Sequence, residues 1–304
     1  MRVRKRRIRE GAFQHLYQNT CRGVLLFYDD MDRLVYFTLF SVKAKKYKVQ
    51  TLAFALMYDH THSLVRIADP ARMGDFVRDY TSCFAIEFNR DSGRKGPLFQ
   101  CAYGNAPKIG SKKIRTAVSY VNNNSVEKLL FERAEQDRWN LMAYLADPHP
   151  FSEPIVLKQS SRRLRRSLQR VKALARSNAW LSYRLLRQLF DELSEKETQQ
   201  LIDFIITEYY PLDKEEIMML YHDYPTLLTA VNSNTGSEYD LKEDFDAGSH
   251  VIYRNLLKVC DRSSFAGNPK KLVTLPPSQK KQIAGILQQR TGAEYYQLKK
   301  FLDL

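Results

Sequence analysis

The chain is poor in the residues that make staples and unusual backbones. Its four cysteines, Cys21, Cys83, Cys101 and Cys260, stand far apart with no CxxC pair among them. That pattern excludes a zinc ribbon and offers no disulfide framework, and a reducing, cytoplasmic setting fits it best. Twelve glycines and eleven prolines in 304 residues exclude collagen-like and low-complexity chains. No apolar run approaches the ~18 residues that a membrane helix needs. The basic N-terminus, with Arg2, Arg4, Lys5, Arg6, Arg7 and Arg9, is followed by no apolar stretch, so it reads as an arm and not as a secretory signal. Acidic residues are in deficit: 34 Asp and Glu face 48 Lys and Arg, a formal net charge of +14. A polyanionic partner is therefore the first functional expectation. With 44% hydrophobic and 27% charged residues, the chain reads as folded, basic and soluble.

The basic excess is local. Residues 158–190 carry Lys158, Arg162, Arg163, Arg165, Arg166, Arg170, Lys172, Arg176, Arg184 and Arg187 with no acid among them, and the sign reverses from Asp191 to Glu216. The first 150 residues alternate between strand-like and helix-like patterns, which predicts an α+β unit. Segments 24–28 and 51–58 read as buried strands, with 63–67 as a continuation. Segments 32–47, 75–88 and about 112–130 read as helices, and 89–97 as a basic, Gly-containing loop. Pro148 and Pro150 mark a boundary. Beyond them the pattern predicts a basic-then-acidic helical region at 151–231, an exposed polar linker at 232–248 and a further helical region at 249–304. The 161–190 stretch reads as an amphipathic helix in which Leu164, Leu168, Val171 and Leu174 form one stripe, with the arginines mostly off it.

The densest chemical signal is Met57-Tyr58-Asp59-His60-Thr61-His62, at the end of an apolar strand. Residues i and i+2 of a strand project from one face, so His60 and His62 can present two imidazoles side by side, half of a metal site. A second element is Ser119-Tyr120-Val121-Asn122-Asn123-Asn124. On a helix, Tyr120 and Asn124 lie one turn apart on one face, placing a phenol and an amide oxygen near the same point. A lone HxH is commonly a pair of unrelated surface histidines, and a lone helical tyrosine is commonly core. Their combination and order carry the weight.

Together these segments resemble the single-tyrosine transposases of the HUH superfamily, especially the REP-associated and IS200-like members. The family phrase M-x-D-H-x-H-x-L is matched by Met57, Asp59, His60, His62 and Leu64; F-N-R by Phe88-Asn89-Arg90; G-x-L-F-Q by Gly96-Pro97-Leu98-Phe99-Gln100; and Y-I-x-x-N-P-V by Tyr120 to Val126. Order and spacing agree over about residues 12–130. Two positions depart from the pattern: Thr61 stands where a hydrophobic residue is usual, and Ser125 replaces the proline. Neither removes a reactive group.

The resemblance implies an antiparallel-sheet catalytic domain at 1–150, ferredoxin- or RRM-like, with a mostly helical C-terminal extension. It implies Tyr120 as nucleophile, His60, His62 and Asn124 as ligands of Mg²⁺ or Mn²⁺, and single-stranded DNA cleaved beside a hairpin through a 5′-phosphotyrosine. Expected phosphate contacts are Arg90, Arg94, Lys95, Lys112, Lys113, Arg115, Arg162, Arg163 and Arg166, together with the N-terminal arm and the Lys43–Lys48 group. Phe99 and Tyr103 are expected to be core more than base-stacking platforms. Segments 278–289 and 294–304, around Gly292, suggest a helix-turn-helix with Ile283, Ile286, Leu287, Tyr295, Leu298 and Leu302 as its small core. No membrane or small-molecule partner is expected, the protein would act as a monomer or homodimer, and a cytoplasmic, nucleoid-associated location follows. The alternative is a catalytically inactive regulator that binds DNA or RNA hairpins on the same fold.

Overall fold

The computed structural model describes residues 8–99, 103–233, 249–261 and 268–304. A four-stranded antiparallel sheet is built from β1 (Phe13–Asn19), β2 (Val49–Leu56), β3 (His60–Ile67) and β4 (Gly104–Lys108), in the order β2-β3-β1-β4. Helix α1 (Asp30–Lys46) follows β1, α2 (Met73–Ser92) follows β3 and α3 (Ser111–Glu127) follows β4. This is the β-α-β-β-α-β order of a ferredoxin-like fold, with α3 added. The expected α+β architecture is present.

Strand register divides the sheet into two faces. Gln18 pairs with Thr61, and Tyr17 with His62. Because side chains alternate, Gln18 and Thr61 point one way while His15, Tyr17, His60 and His62 point the other. The first face receives α1 and α2: Tyr36 bonds Thr61 Oγ1 at 3.0 Å, and Tyr80 donates to Gln18 Oε1 at 3.3 Å. Phe37, Phe40, Phe54, Phe76 and Phe84 fill the layer between them. The histidine face receives α3. Asp29 caps α1 by accepting from the Asp32 amide at 2.8 Å, which satisfies an otherwise open first-turn donor.

Some sequence expectations are corrected. Residues 24–28 are buried, but they form a loop and not a strand. The amides of Leu26 and Phe27 both donate to the Tyr58 carbonyl, at 2.7 and 3.2 Å, so the run's apolar character reflects burial without a ladder. Residues 63–67 belong to β3, which folds back on β2 as an antiparallel neighbour instead of extending it. The sequence pattern marks neither β1 nor β4 as a strand. β4 contains Pro107 and no apolar alternation; as an edge strand it tolerates the missing donor.

The C-terminal part is helical: α4 (Arg162–Arg176), α5 (Tyr183–Phe190), α6 (Glu195–Glu208), α7 (Lys214–Tyr221), α8 (Tyr224–Asn232), α9 (Val251–Asp261), α10 (Pro277–Thr291) and α11 (Tyr295–Leu302). The expected 161–190 helix is two helices. Asn178 takes a left-handed φ of 54°, and Ser182 caps α5 by accepting from Leu185. Leu164, Leu168 and Val171 are buried as the stripe requires. The acidic stretch proves partly structural: Asp203 is fully buried, accepting from Tyr144 Oη at 2.6 Å and the Phe151 amide at 3.1 Å. The extension also joins the sheet domain directly. The Asp213 amide donates to the Thr51 carbonyl at 2.8 Å, and the Leu181 amide to Thr38 Oγ1 at 3.1 Å. Most of the expected 232–248 linker, and residues 2–7 of the basic arm, lie outside the described residues.

The α10–α11 pair turns at Gly292, with φ of 70°. Ile283, Leu287, Leu298 and Leu302 are buried as expected, but Ile286 and Tyr295 are exposed. They face solvent because the pair packs on α9 and the sheet domain as well as on itself: Tyr28 Oη donates to the Phe301 carbonyl at 2.9 Å.

Candidate metal and tyrosine site

His60 and His62 open β3, with their side chains on the α3 face of the sheet. Their rings lie 5.0 Å apart, edge to face. Each has a partner at Nδ1. His60 Nδ1 stands 2.7 Å from Asp59 Oδ1, and His62 Nδ1 stands 3.0 Å from His15 Nε2. A histidine whose Nδ1 is engaged by a carboxylate or a second ring presents Nε2 as its coordinating nitrogen. His15 comes from β1, diagonal to His62 across the strand pair, since it pairs with Leu64 while His62 pairs with Tyr17.

Tyr120 projects from α3 onto this pair. Its ring lies edge-on to His62 at 5.8 Å and to His15 at 5.5 Å. Asn124, one turn later, donates from Nδ2 to the Tyr120 carbonyl at 2.9 Å, so Oδ1 is the atom it can offer as a ligand. The structure thus brings Tyr120 and the two histidines together, with Asn124 on the same helix face. All are buried: Tyr120 is 5%, His60 3%, His62 1% and Asn124 2% exposed.

Two groups that sequence reasoning missed complete the surroundings. His250, just before α9, places Nε2 3.6 Å from Asp59 Oδ1, and Lys300 of α11 reaches Asp59 Oδ2 at 3.3 Å. Asp59, His60 and His250 bring one ligating atom each to within 4.8 Å of one another. The donor chemistry fits a divalent cation: imidazoles, an amide oxygen and an adjacent carboxylate. Burial pushes His15 down to about 3, with Lys108 adding to it, and lowers His62 well below the ordinary histidine value, helped by His60 and His15. Burial likewise takes His250 to about 3 against the pull of Asp59. Neutral rings coordinate without first losing a proton. Burial opposes the charge of Asp59, but His60, His250 and Lys300 outweigh it and hold the carboxyl well below its usual range.

Gly104 of β4 is set by the site's neighbour Tyr17. A β-carbon at Gly104 would land inside the Tyr17 ring, and Tyr17 pairs with His62. Gly104→Ala must therefore push the ring aside. It should cost about 1–3 kcal/mol of overpacking, read as a lowered urea midpoint. An unchanged midpoint would mean that the ring moves freely.

The other motif residues form a loop scaffold. Asn89 Nδ2 donates to the Gly96 carbonyl at 2.8 Å, and the Cys21 amide to the Leu98 carbonyl at 2.8 Å, so the F-N-R and G-P-L-F segments close one turn against the end of β1. Arg94 belongs to this scaffold: it pairs with Asp303 at 3.1 Å and donates to the Gly96 and Pro97 carbonyls. Its guanidinium is committed internally, which disfavours the phosphate role expected for it. Lys95, Lys112, Lys113, Arg115, Arg162 and Arg166 are exposed. Arg90 is exposed beside Glu87, and Arg163 beside Glu192. Lys43 and Lys46 share Asp79. Lys112 and Arg115 overhang a cleft of about 430 Å³, lined also by Thr116, Ser119, Tyr221 and Thr226. Tyr103 is buried and Phe99 half-buried against Phe84, both core as expected. Cys21, Cys83 and Cys260 are free thiols. Among the described residues, no helix is long and apolar enough to cross a membrane.

Comparison with known proteins adds three findings. A solved structure of a REP-associated tyrosine transposase bound to a REP hairpin is similar at 14% identity and a TM-score of 0.41, over 47% of this chain and 84% of that one. No curated protein matches the chain. The family model described as "Transposase IS200 like" matches residues 18–124, from the last residues of β1 through β3 to Asn124 of α3. That span contains both histidines of β3 and the tyrosine of α3, so the part of the chain that resembles IS200-like transposases is the part that carries the candidate site.

Proposed function

We propose that the protein is a metal-dependent, single-strand DNA endonuclease and strand transferase with Tyr120 as its nucleophile. One observation carries this: a tyrosine on α3 packed 5.8 Å from the second histidine of an HxH pair, inside a segment of transposase family. Tyr120 Oη gives up its proton and attacks a backbone phosphorus, the bond from phosphorus to the 3′-oxygen breaks, and the strand is left with a 5′-phosphotyrosine and a 3′-oxygen that takes up a proton to become a hydroxyl. The covalent bond keeps the phosphodiester's energy, so another strand's 3′-hydroxyl can reverse the step and join DNA. His60, His62 and Asn124 would hold the ion, Mg²⁺ or Mn²⁺. When bound, the ion supplies Lewis acidity toward the phosphate oxygens.

The strand would lie along the exposed cations nearest the tyrosine helix, Lys112, Lys113 and Arg115, with Lys95 and the α4 arginines as outer contacts. Such contacts make binding strongly salt dependent. A hairpin beside the cut strand is the expected substrate. Because Tyr120 is buried, admitting a strand requires the elements over the site to part. That burial favours a second reading, a regulator that binds hairpins on this fold without cutting. A hairpin-bearing oligonucleotide incubated with Mn²⁺ separates the two. The nuclease should yield a denaturation-resistant protein–DNA adduct that disappears with chelator and in His60→Ala and His62→Ala. Adduct formed with unchanged metal dependence by both variants would remove the ligand assignment, and binding with no adduct would favour the regulator.

A further inference from the structure

The groups that orient the two imidazoles come largely from outside the family-matched segment. His15 precedes it and holds His62 Nδ1. Asp59 holds His60 Nδ1, and two residues from far downstream stand against Asp59 itself. His250 Nε2 lies 3.6 Å from one carboxylate oxygen, and Lys300 Nζ lies 3.3 Å from the other.

Both downstream residues are firmly seated. The His250 amide donates to the Lys128 carbonyl, at the end of α3, at 3.1 Å. Its ring meets His60 edge-on at 5.7 Å and Tyr253 at 5.3 Å. The stem of Lys300 crosses Gly23, where an added β-carbon would approach its Cε to 3.0 Å. Around Lys300, the Phe301 carbonyl accepts from Tyr28 and Asp303 pairs with Arg94. The end of α11 is therefore docked at three points on the sheet domain.

We propose that His250 and Lys300 are positioning residues for the metal centre. They fix the Asp59 carboxylate, Asp59 accepts from His60 Nδ1, and His60 Nε2 is thereby aimed at the ion. The proposal rests on the reading of His60 as a metal ligand. It makes the metal affinity of the sheet domain a property of the C-terminal segment. Outer partners of this kind typically contribute 10- to 100-fold to metal affinity by locking the ring's tautomer and orientation.

The test is Mn²⁺ titration of the full chain followed by electron paramagnetic resonance, which reads binding without requiring cleavage. His250→Ala and Lys300→Met should each weaken Mn²⁺ binding about tenfold or more, while Lys300→Arg, which keeps the cation, should retain most of the affinity. The decisive arm is a cycle through Asp59→Asn. Once the carboxylate is gone, His250→Ala should cause little further loss, because both act through the same group. A merely structural role would not produce that dependence. The proposal fails if the folded variants bind Mn²⁺ within about twofold of the parent, or if His250→Ala costs as much in the Asp59→Asn background as in the parent. Should His250→Ala or Lys300→Met lose its circular dichroism signal, His250→Gln and Lys300→Gln carry the same comparison. A parent chain that binds Mn²⁺ through His60 yet forms no DNA adduct would overturn the nuclease reading and leave this one standing. A parent that binds no Mn²⁺ would overturn both.

Discussion

Replacing Tyr120 with phenylalanine should abolish the covalent protein–DNA adduct and lower strand cleavage by at least ~10³-fold, the scale on which nucleophile deletions act. The substitution keeps the ring that packs edge-on to His62 and His15, so the sheet–α3 contact survives and only the attacking oxygen is removed. Binding of a hairpin oligonucleotide should change little, because the charged surface is untouched. Hairpin affinity and adduct yield measured on the same samples make the result decisive. Loss of both together would point to a folding defect, and adduct retained at parental yield would place the nucleophile elsewhere. Other buried tyrosines are poor substitutes. Burial raises Tyr36 and Tyr221 to about 12, and pushes Tyr80 well above the ordinary value. Moreover, Tyr36 and Tyr80 lie on the opposite face of the sheet from the histidines.

Lys270→Met should destabilise the protein by about 3–5 kcal/mol, the cost of stripping one partner from a buried ionic cluster. Lys270 is fully buried between two helices of the sheet domain: Nζ lies 2.6 Å from Asp32 Oδ1 at the start of α1 and 2.6 Å from Asp91 Oδ2 at the end of α2. Its ammonium also sits 3.9 Å from the centre of the Tyr183 ring, and Tyr183 Oη donates to Asp32 at 2.7 Å. Burial opposes the ammonium's charge, but Asp32, Asp29 and Asp91 hold its pKa above the ordinary lysine value. The charge therefore persists at every pH below that value, and the stabilisation fades only as alkali titrates the folded group. Asp91 is held below its usual range against burial by Lys270 and Arg187, so acid erodes its share only as pH falls below the ordinary carboxylate range. Urea denaturation of Lys270→Met at neutral pH measures the loss. Adding Asp32→Asn and Asp91→Asn should recover part of it, because the penalty is mainly that of carboxylates left without a cation. A loss under ~1 kcal/mol would mean that water reaches the cluster when the lysine leaves.

These two sites were unequally legible in the sequence. The HxH pair and Tyr120 could be read because their chemistry needs particular side chains at spacings that strand and helix periodicity bring together: i and i+2 on β3, i and i+4 on α3. His15 could not. A single histidine in Phe13–Asn19 has no local pattern; only antiparallel register sets His15 diagonal to His62. His250 and Lys300 gave no signal either, being a lone histidine after a polar stretch and one lysine among several near the chain's end. The arginine expectations split for a related reason. Arg162 and Arg166 stay exposed because the Leu164, Leu168 and Val171 stripe sets which face of α4 is buried. Arg94 is withdrawn into the loop because Asp303, far away in sequence, docks beside it.

By itself, the sequence determined the fold class, the basic surfaces and the pair of segments that carry the candidate chemistry, because composition, periodicity and short spacings are local properties. Tertiary structure alone decided which groups hold those side chains in place. His15 against His62, His250 and Lys300 against Asp59, and Lys270 between Asp32 and Asp91 all join residues distant along the chain. Such contacts depend on strand register and helix docking, which emerge only when the whole core closes and no short window encodes them.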